Sequence, residues 1–226
     1  TRRMMRLDGR PPRIAFLAGT MHAGREGVEQ VLQHLIAHLE RRGTENLFFS
    51  RMAPPADSSG AMHCAPSVSL PLHKAYRPEL PGPEYLEERL RDFKPDLVHI
   101  HSSSAPGHAA VKYARKTEIP VVATYHTHFS GSAGDCEAGA SESISWNHVR
   151  KLYNGCQRVY VPSQHTLLEL KDHGVKHLEL LPHGVDVEAF HPRFRSREWR
   201  EKLGVDGKLV LLFVGRLAWK EGLRVL

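Results

Sequence analysis

The sequence predicts an α/β fold, a Rossmann-like doubly wound parallel sheet. Two observations carry this expectation. Short apolar runs bounded by Pro or Gly recur along the chain, and segments of ten or so residues with apolar positions at helical spacing separate them. Strands and helices alternating in that rhythm build a parallel sheet covered on both faces. The chain has 226 residues, 41% of them apolar, enough for one large domain or two small ones with a sizeable core.

The elements follow in order. "RIAFLAG", Arg13–Gly19, is an apolar run between Pro and Gly and reads as a strand. Val28, Val31, Leu32, Leu35, Ile36 and Leu39 then recur at helical spacing, with Gly43 as the stop signal. "TENLFFS" is the second strand. Residues 51–83 are rich in Pro, Ser, Ala and His and read as a long surface connection. "EYLEERLRDF" is a helix, "PDLVHIH" a strand, "PGHAAVKYARKTE" a helix and "IPVVATYH" a strand. A polar, Gly-rich loop at 130–141 precedes a helix around Ile144–Asn154. "QRVYVPS" is a strand, and Ser163 is placed to cap the helix "QHTLLELKDHG". "HLELLPHGVD" closes the series in a strand and a turn. Residues 185–207 read as a connector with a short helix, and "KLVLLFVGRL" reads as a fresh strand.

Composition narrows the partners. A net charge of +6 suits anionic partners, but the basic residues cluster only at Arg2–Arg13 and Arg193–Arg200. They form no RNA-binding signature, so nucleic acid is not expected. Cys64, Cys136 and Cys156 have no paired spacing, which fits a reducing compartment better than a disulfide framework. No apolar run is long enough to span a bilayer, and the basic first residues lack the apolar segment of a signal peptide. A cytoplasmic location is expected.

In open α/β sheets ligands bind outside the carboxyl ends of the strands. "GTMHAGREGVE", "HIHSSSAPG", "TYHTHFSG" and "FVGRLAWKEG" all fall at such ends. In the first, Gly19, Gly24 and Gly27 lie between a strand and a helix. Glycines there fit either an ordinary tight turn or a loop whose N–H groups approach an anion at the helix N-terminus. Two His-x-His pairs follow, His99/His101 and His126/His128. Alternate residues on a strand point the same way, so each pair offers two imidazoles to one ligand. Zinc hydrolases use such pairs with a further carboxylate, for which Asp135 and Glu137 are available. Roles in hydrogen bonding, acid–base work or plain structure are the alternatives. Arg216 and Lys220 follow the last strand, where two cations suit a diphosphate or a solvated loop.

Taken together and in order, "GVEQVLQHLIAHLERRG", "PDLVHIHSSSAPGHAA", "IPVVATYHTHF", "VYVPSQHTLLELKDHGV", "LLPHGVDVEAFHPRFRS" and "LLFVGRLAWKEGL" resemble retaining glycosyltransferases of family 4, with the GT-B fold. The branch most similar is that of the bacterial and plant α-mannosyltransferases and sulfoquinovosyltransferases. The resemblance covers most of residues 13–226 and weakens at 51–83 and 130–142. It implies two Rossmann-like domains facing across a cleft, the first binding the acceptor and the second most of the nucleotide sugar. Residues 13–190 would be the acceptor-side domain, 191–206 the linker, and 207–226 the start of the donor-binding domain. The reaction implied is metal-independent transfer, with retention, of a mannose-like hexosyl group from a nucleotide-diphosphate sugar to a lipid or glycan acceptor.

By motif position the resemblance implies that His126 sits beside the reacting sugar. It also implies that Gly24 and Gly27 lie in the loop that approaches the donor phosphate, and that Arg216, with Lys220, binds the diphosphate. Such chemistry needs positive charge on the leaving nucleotide. There are departures. Glu221 occupies the position where the family has lysine, His183 stands where the close branch has Arg, and the paired-glutamate motif that holds the donor is not in these residues. The loop at 130–142 lacks the aromatic residues of the branch. The 226 residues alone are therefore expected to transfer sugar weakly or not at all. Two other readings stay open. One is a non-catalytic acceptor-binding half that pairs in trans with a separate C-terminal chain. The other is a metal-dependent hydrolase built on the histidine pairs. Peripheral contact of the basic segments with an anionic membrane is a further expectation.

Overall fold

The computed structural model describes residues 8–18, 27–50, 61–64, 83–103, 105–126 and 139–214. Seven strands form one sheet: β1 (Arg13–Leu17), β2 (Glu45–Ser50), β3 (Ala61–Cys64), β4 (Leu97–Ile100), β5 (Val121–Thr124), β6 (Arg158–Val161) and β7 (Leu178–Leu180). Their spatial order is β3-β2-β1-β4-β5-β6-β7, and every pairing is parallel. The helices are α1 (Gly27–Arg41), α2 (Pro83–Phe93), α3 (Ala105–Thr117), α4 (Gly139–Tyr153) and α5 (Gln164–Asp172).

Strand β1 shows why the sheet is doubly wound. Its side chains alternate between two cores. Ala15 and Leu17 join the larger one with Leu90 of α2, Ala114 of α3, Leu152 of α4 and Leu170 of α5. Ile14 and Phe16 face the other way, onto Leu32, Leu35, Ile36 and Leu39 of α1. Helices on both faces leave the inner strands little solvated surface, so they are mostly apolar. Local signals set the boundaries. Gly43, at φ +88, takes the left-handed turn that lets its N–H reach the carbonyl of Glu40 at 2.8 Å and ends α1. Ser163 caps α5, its hydroxyl accepting the Thr166 N–H at 3.2 Å.

Three expectations change. Residues 51–83 are not all surface connection, because Ala61–Cys64 pairs with Leu47–Ser50 as the edge strand β3. Helix α4 begins at Gly139, five residues before Ile144, running through Gly and Ser that propensity alone disfavours. The run at 208–214 forms no strand among the described residues, and Leu209 and Val214 are 91% and 86% exposed. Apolarity alone does not make a strand; a ladder partner is required.

The chain divides into two compact units between His183 and Gly184. The second unit contains a 3-10 turn at Pro192–Phe194 and α6 (Arg197–Lys202), capped by Ser196. Arg200 ties it together by donating to the carbonyls of Val205 and Lys208 at 2.8 and 2.6 Å. No described helix is long and apolar enough to cross a membrane.

Candidate functional site

The strand order reverses direction between β1 and β4, so the crevice at their carboxyl ends is the topological switch point where open α/β sheets bind ligands. Here β1 ends at Leu17, whose carbonyl accepts the His101 N–H at 2.9 Å. Pairing β4 beside β5, with Ile100 opposite Ala123, brings the residues after both strands together. A cluster of imidazoles forms at this edge.

His99 and His101 lie on one face, as alternate strand residues must, with ring centroids 3.9 Å apart. Both contact the ring of Phe16, at 5.6 and 5.8 Å, and both are buried. His99 Nε2 bonds Thr124 Oγ1 at 2.8 Å. His101 Nδ1 bonds His126 Nε2, also at 2.8 Å. The His126 ring in turn lies nearly parallel to that of His183, 5.8 Å away.

Burial sets the charge of this cluster. Removal from water disfavours imidazolium. It pushes His99 down to about 3, with His126 adding repulsion. It pushes His126 down to about 4, with His183 adding to the effect. It holds His101 well below 6.5, reinforced by His99 and His126. The three rings are therefore neutral near neutral pH. A neutral imidazole offers one N–H and one lone pair. Such a cluster suits hydroxyl groups, which both donate and accept. It is poorly suited to neutralising a diphosphate.

Two nitrogens of the cluster, His101 Nε2 and His126 Nδ1, are buried without a hydrogen-bond partner. Each unmet polar atom of this kind costs about 1–3 kcal/mol. Two at a sheet's ligand-binding edge mark the place where a polar ligand would supply the missing bonds.

The structure brings His99, His101 and His126 together. Gly27 is the first residue of α1, at the helix end that faces anions in such folds. Gly24, His128, Asp135, Glu137, Arg216, Lys220 and Glu221 lie outside the described residues. Among the described residues no three of His, Cys, Asp and Glu are grouped to hold a metal ion. Sequence reasoning named the histidines as pairs within a strand. It missed the bond across strands from His101 to His126, the Thr124 partner of His99, and the approach of His183 to His126. Adjacency of β4 and β5 would have revealed the first two.

The fold defines a Rossmann-like α/β protein that carries this imidazole cluster at its switch point. Comparison with known proteins narrows this. Residues 25–189 match the model of Glycosyltransferase Family 4, and the chain belongs to that family. It is 30% identical over 224 residues to a GDP-mannose-dependent alpha-mannosyltransferase of Corynebacterium glutamicum, covering 96% of this chain and 54% of that protein. It is 29% identical over 231 residues to the Sulfoquinovosyl transferase SQD2 of Arabidopsis thaliana, covering 96% and 44%. The chain thus spans about half the length of the curated relatives it matches. In fold it is similar to a glycosyltransferase from Rickettsia africae, at 17% identity and a TM-score of 0.60, covering 87% of this chain and 50% of that one. It is likewise similar to a sucrose-phosphate synthase from Thermosynechococcus elongatus, at 16% identity and a TM-score of 0.59, covering 85% and 52%.

Proposed function

We propose that the protein is a retaining hexosyltransferase that moves a mannose-like group from a nucleotide-diphosphate sugar to a lipid or glycan acceptor, and that this chain supplies its acceptor-side domain. The observation that carries the reading is the neutral imidazole cluster with two unmet nitrogens at the switch point of a family 4 chain. A sugar is a ligand of hydroxyls, and His126 is the group proposed to meet it. The relative from Corynebacterium glutamicum, named for GDP-mannose and α-mannosyl transfer, supports the choice of sugar.

The leaving nucleotide carries the charge that neutral histidines cannot stabilise. That task falls to Arg216 and Lys220, with backbone N–H groups of the Gly24–Gly27 loop at the start of α1. No metal is required in this scheme. Contact with an anionic membrane through the basic segments, on the cytoplasmic side, places the enzyme near a lipid acceptor.

The test is a transfer assay on the complete gene product with radiolabelled GDP-mannose and other nucleotide sugars, against a panel of lipid and glycan acceptors, with chelator present. Label should appear in an α-linked product. An inverted product, or transfer abolished by chelator, would overturn the mechanism proposed. A lack of transfer from every donor would overturn the function.

A further inference from the structure

Two imidazoles that share one hydrogen bond cannot choose their protons independently. His101 Nδ1 and His126 Nε2 are 2.8 Å apart, the ring planes differ by 18° and the centroids lie 5.1 Å apart. That spacing is the hydrogen bond plus a ring radius at each end. The rings therefore meet edge to edge and nearly coplanar, the geometry of a good N–H···N bond. One inner nitrogen carries the hydrogen and the other offers its lone pair.

A neutral ring holds a single N–H. A proton on the inner nitrogen of one ring leaves that ring's outer nitrogen bare and puts a proton on the other ring's outer nitrogen. The outer pair, His101 Nε2 and His126 Nδ1, is the same pair found buried without partners. One is always a donor and the other an acceptor. Neutral imidazole in water favours the Nε2–H form. The arrangement lets both rings keep it in one sense only: His126 Nε2–H donates to His101 Nδ1, and His101 holds its own proton on Nε2.

We propose that His101 is a positioning residue that fixes His126 as the Nε2–H tautomer, so that His126 presents a lone pair at Nδ1 to a hydroxyl of the bound sugar. This rests on the sugar-facing role given to His126 above. The surroundings favour neutral rings. Among the described residues, His99 from β4, His183 after β7 and Tyr160 of β6, the last beside His99 at 6.4 Å, are the titratable groups around the pair. Among the described residues no carboxylate bonds either ring to supply a counter-charge for an imidazolium.

The pairing is tested on the 226-residue chain labelled with 15N-histidine, read by long-range proton–nitrogen spectra. His126 Nδ1 should resonate as a bare nitrogen and Nε2 as a protonated one, with a coupling across the bond to His101 Nδ1. His101→Asn keeps an acceptor oxygen near the Nδ1 position and should preserve that pattern. His101→Phe keeps a flat ring without an acceptor and should release His126 into a mixture of tautomers. A His126 that carries its proton on Nδ1, or one unmoved by His101→Phe, overturns the proposal. Should His101→Phe fail to fold, the wild-type coupling and tautomer decide alone.

In the complete gene product, His101→Phe should lower kcat/KM about tenfold, the size of one neutral hydrogen bond, while His101→Asn stays near wild type. Free tautomers in an enzyme that still transfers sugar would sink the pairing and leave the function standing. A locked pair in a protein that transfers nothing would sink the function and leave the pairing.

Discussion

Lowering the pH should destabilise the sheet domain through its buried histidines, and His126 offers a measure of one of them. His126 titrates at about 4 in the folded chain and near 6.5 when unfolded. The folded value is the lower one. Between those values the unfolded chain binds more protons, so stability is intact above pH 6.5 and is lost as the pH falls toward 4. From pH 7 to pH 5 the unfolded imidazole takes up most of a proton and the folded one almost none, a loss of about 2 kcal/mol. The figure depends mainly on the unfolded value, because the folded ring is still neutral at pH 5. His99, held at about 3, adds a similar amount, and His101, held well below 6.5 by burial, acts in the same direction. Together His99 and His126 remove about 4 kcal/mol, most of the stability of a marginal domain. Urea unfolding followed by circular dichroism at both pH values supplies the test, comparing wild type with His126→Gln. The variant should lose about 2 kcal/mol less than wild type over the interval. Parallel losses in the two proteins would refute the reasoning, since His126 would then have been accessible to protons in the folded state.

Other expectations follow from single contacts. Ser163→Ala removes the cap of α5 and should cost about 0.5–2 kcal/mol, seen as a lower urea midpoint with unchanged slope. Gly155→Ala would place a Cβ 2.7 Å from Val111 Cγ1 and 2.9 Å from the Leu152 carbonyl oxygen. It should destabilise by about 1–3 kcal/mol in the same assay. The Cys156 thiol is buried and pushed up to about 12. In a Cys64→Ser, Cys136→Ser background it should resist a thiol reagent at pH 8 until the chain unfolds, and fast labelling of the native protein would contradict its burial.

Much of the architecture was legible because the inner strands carry their own signal. "RIAFL", "LVHI" and "RVYV" are apolar runs bounded by turn residues, as fully buried parallel strands must be. The edge was harder. Ala61-Met-His-Cys has no β-branched residue and sits within a Pro- and Ser-rich stretch, so only its partner β2 makes it a strand. The opposite error occurred at 208–214, where an apolar run has no ladder partner among the described residues. Site reading had the same limit. The His-x-His spacing gave the shared face of His99 and His101 correctly. The bonds that define the cluster join residues 25 positions apart, and spacing along one strand carries no information about them. Burial, which keeps the rings neutral and suits them to hydroxyls, is likewise a property of the packed sheet.

The most direct test of the account is the effect of His126→Ala on sugar transfer by the complete gene product, with folding checked by circular dichroism. The account predicts measurable transfer from a nucleotide-diphosphate hexose by wild type and a fall in kcat/KM of at least about tenfold in the variant, the loss of one hydrogen bond to the sugar. Transfer at wild-type efficiency by a folded His126→Ala protein would contradict it.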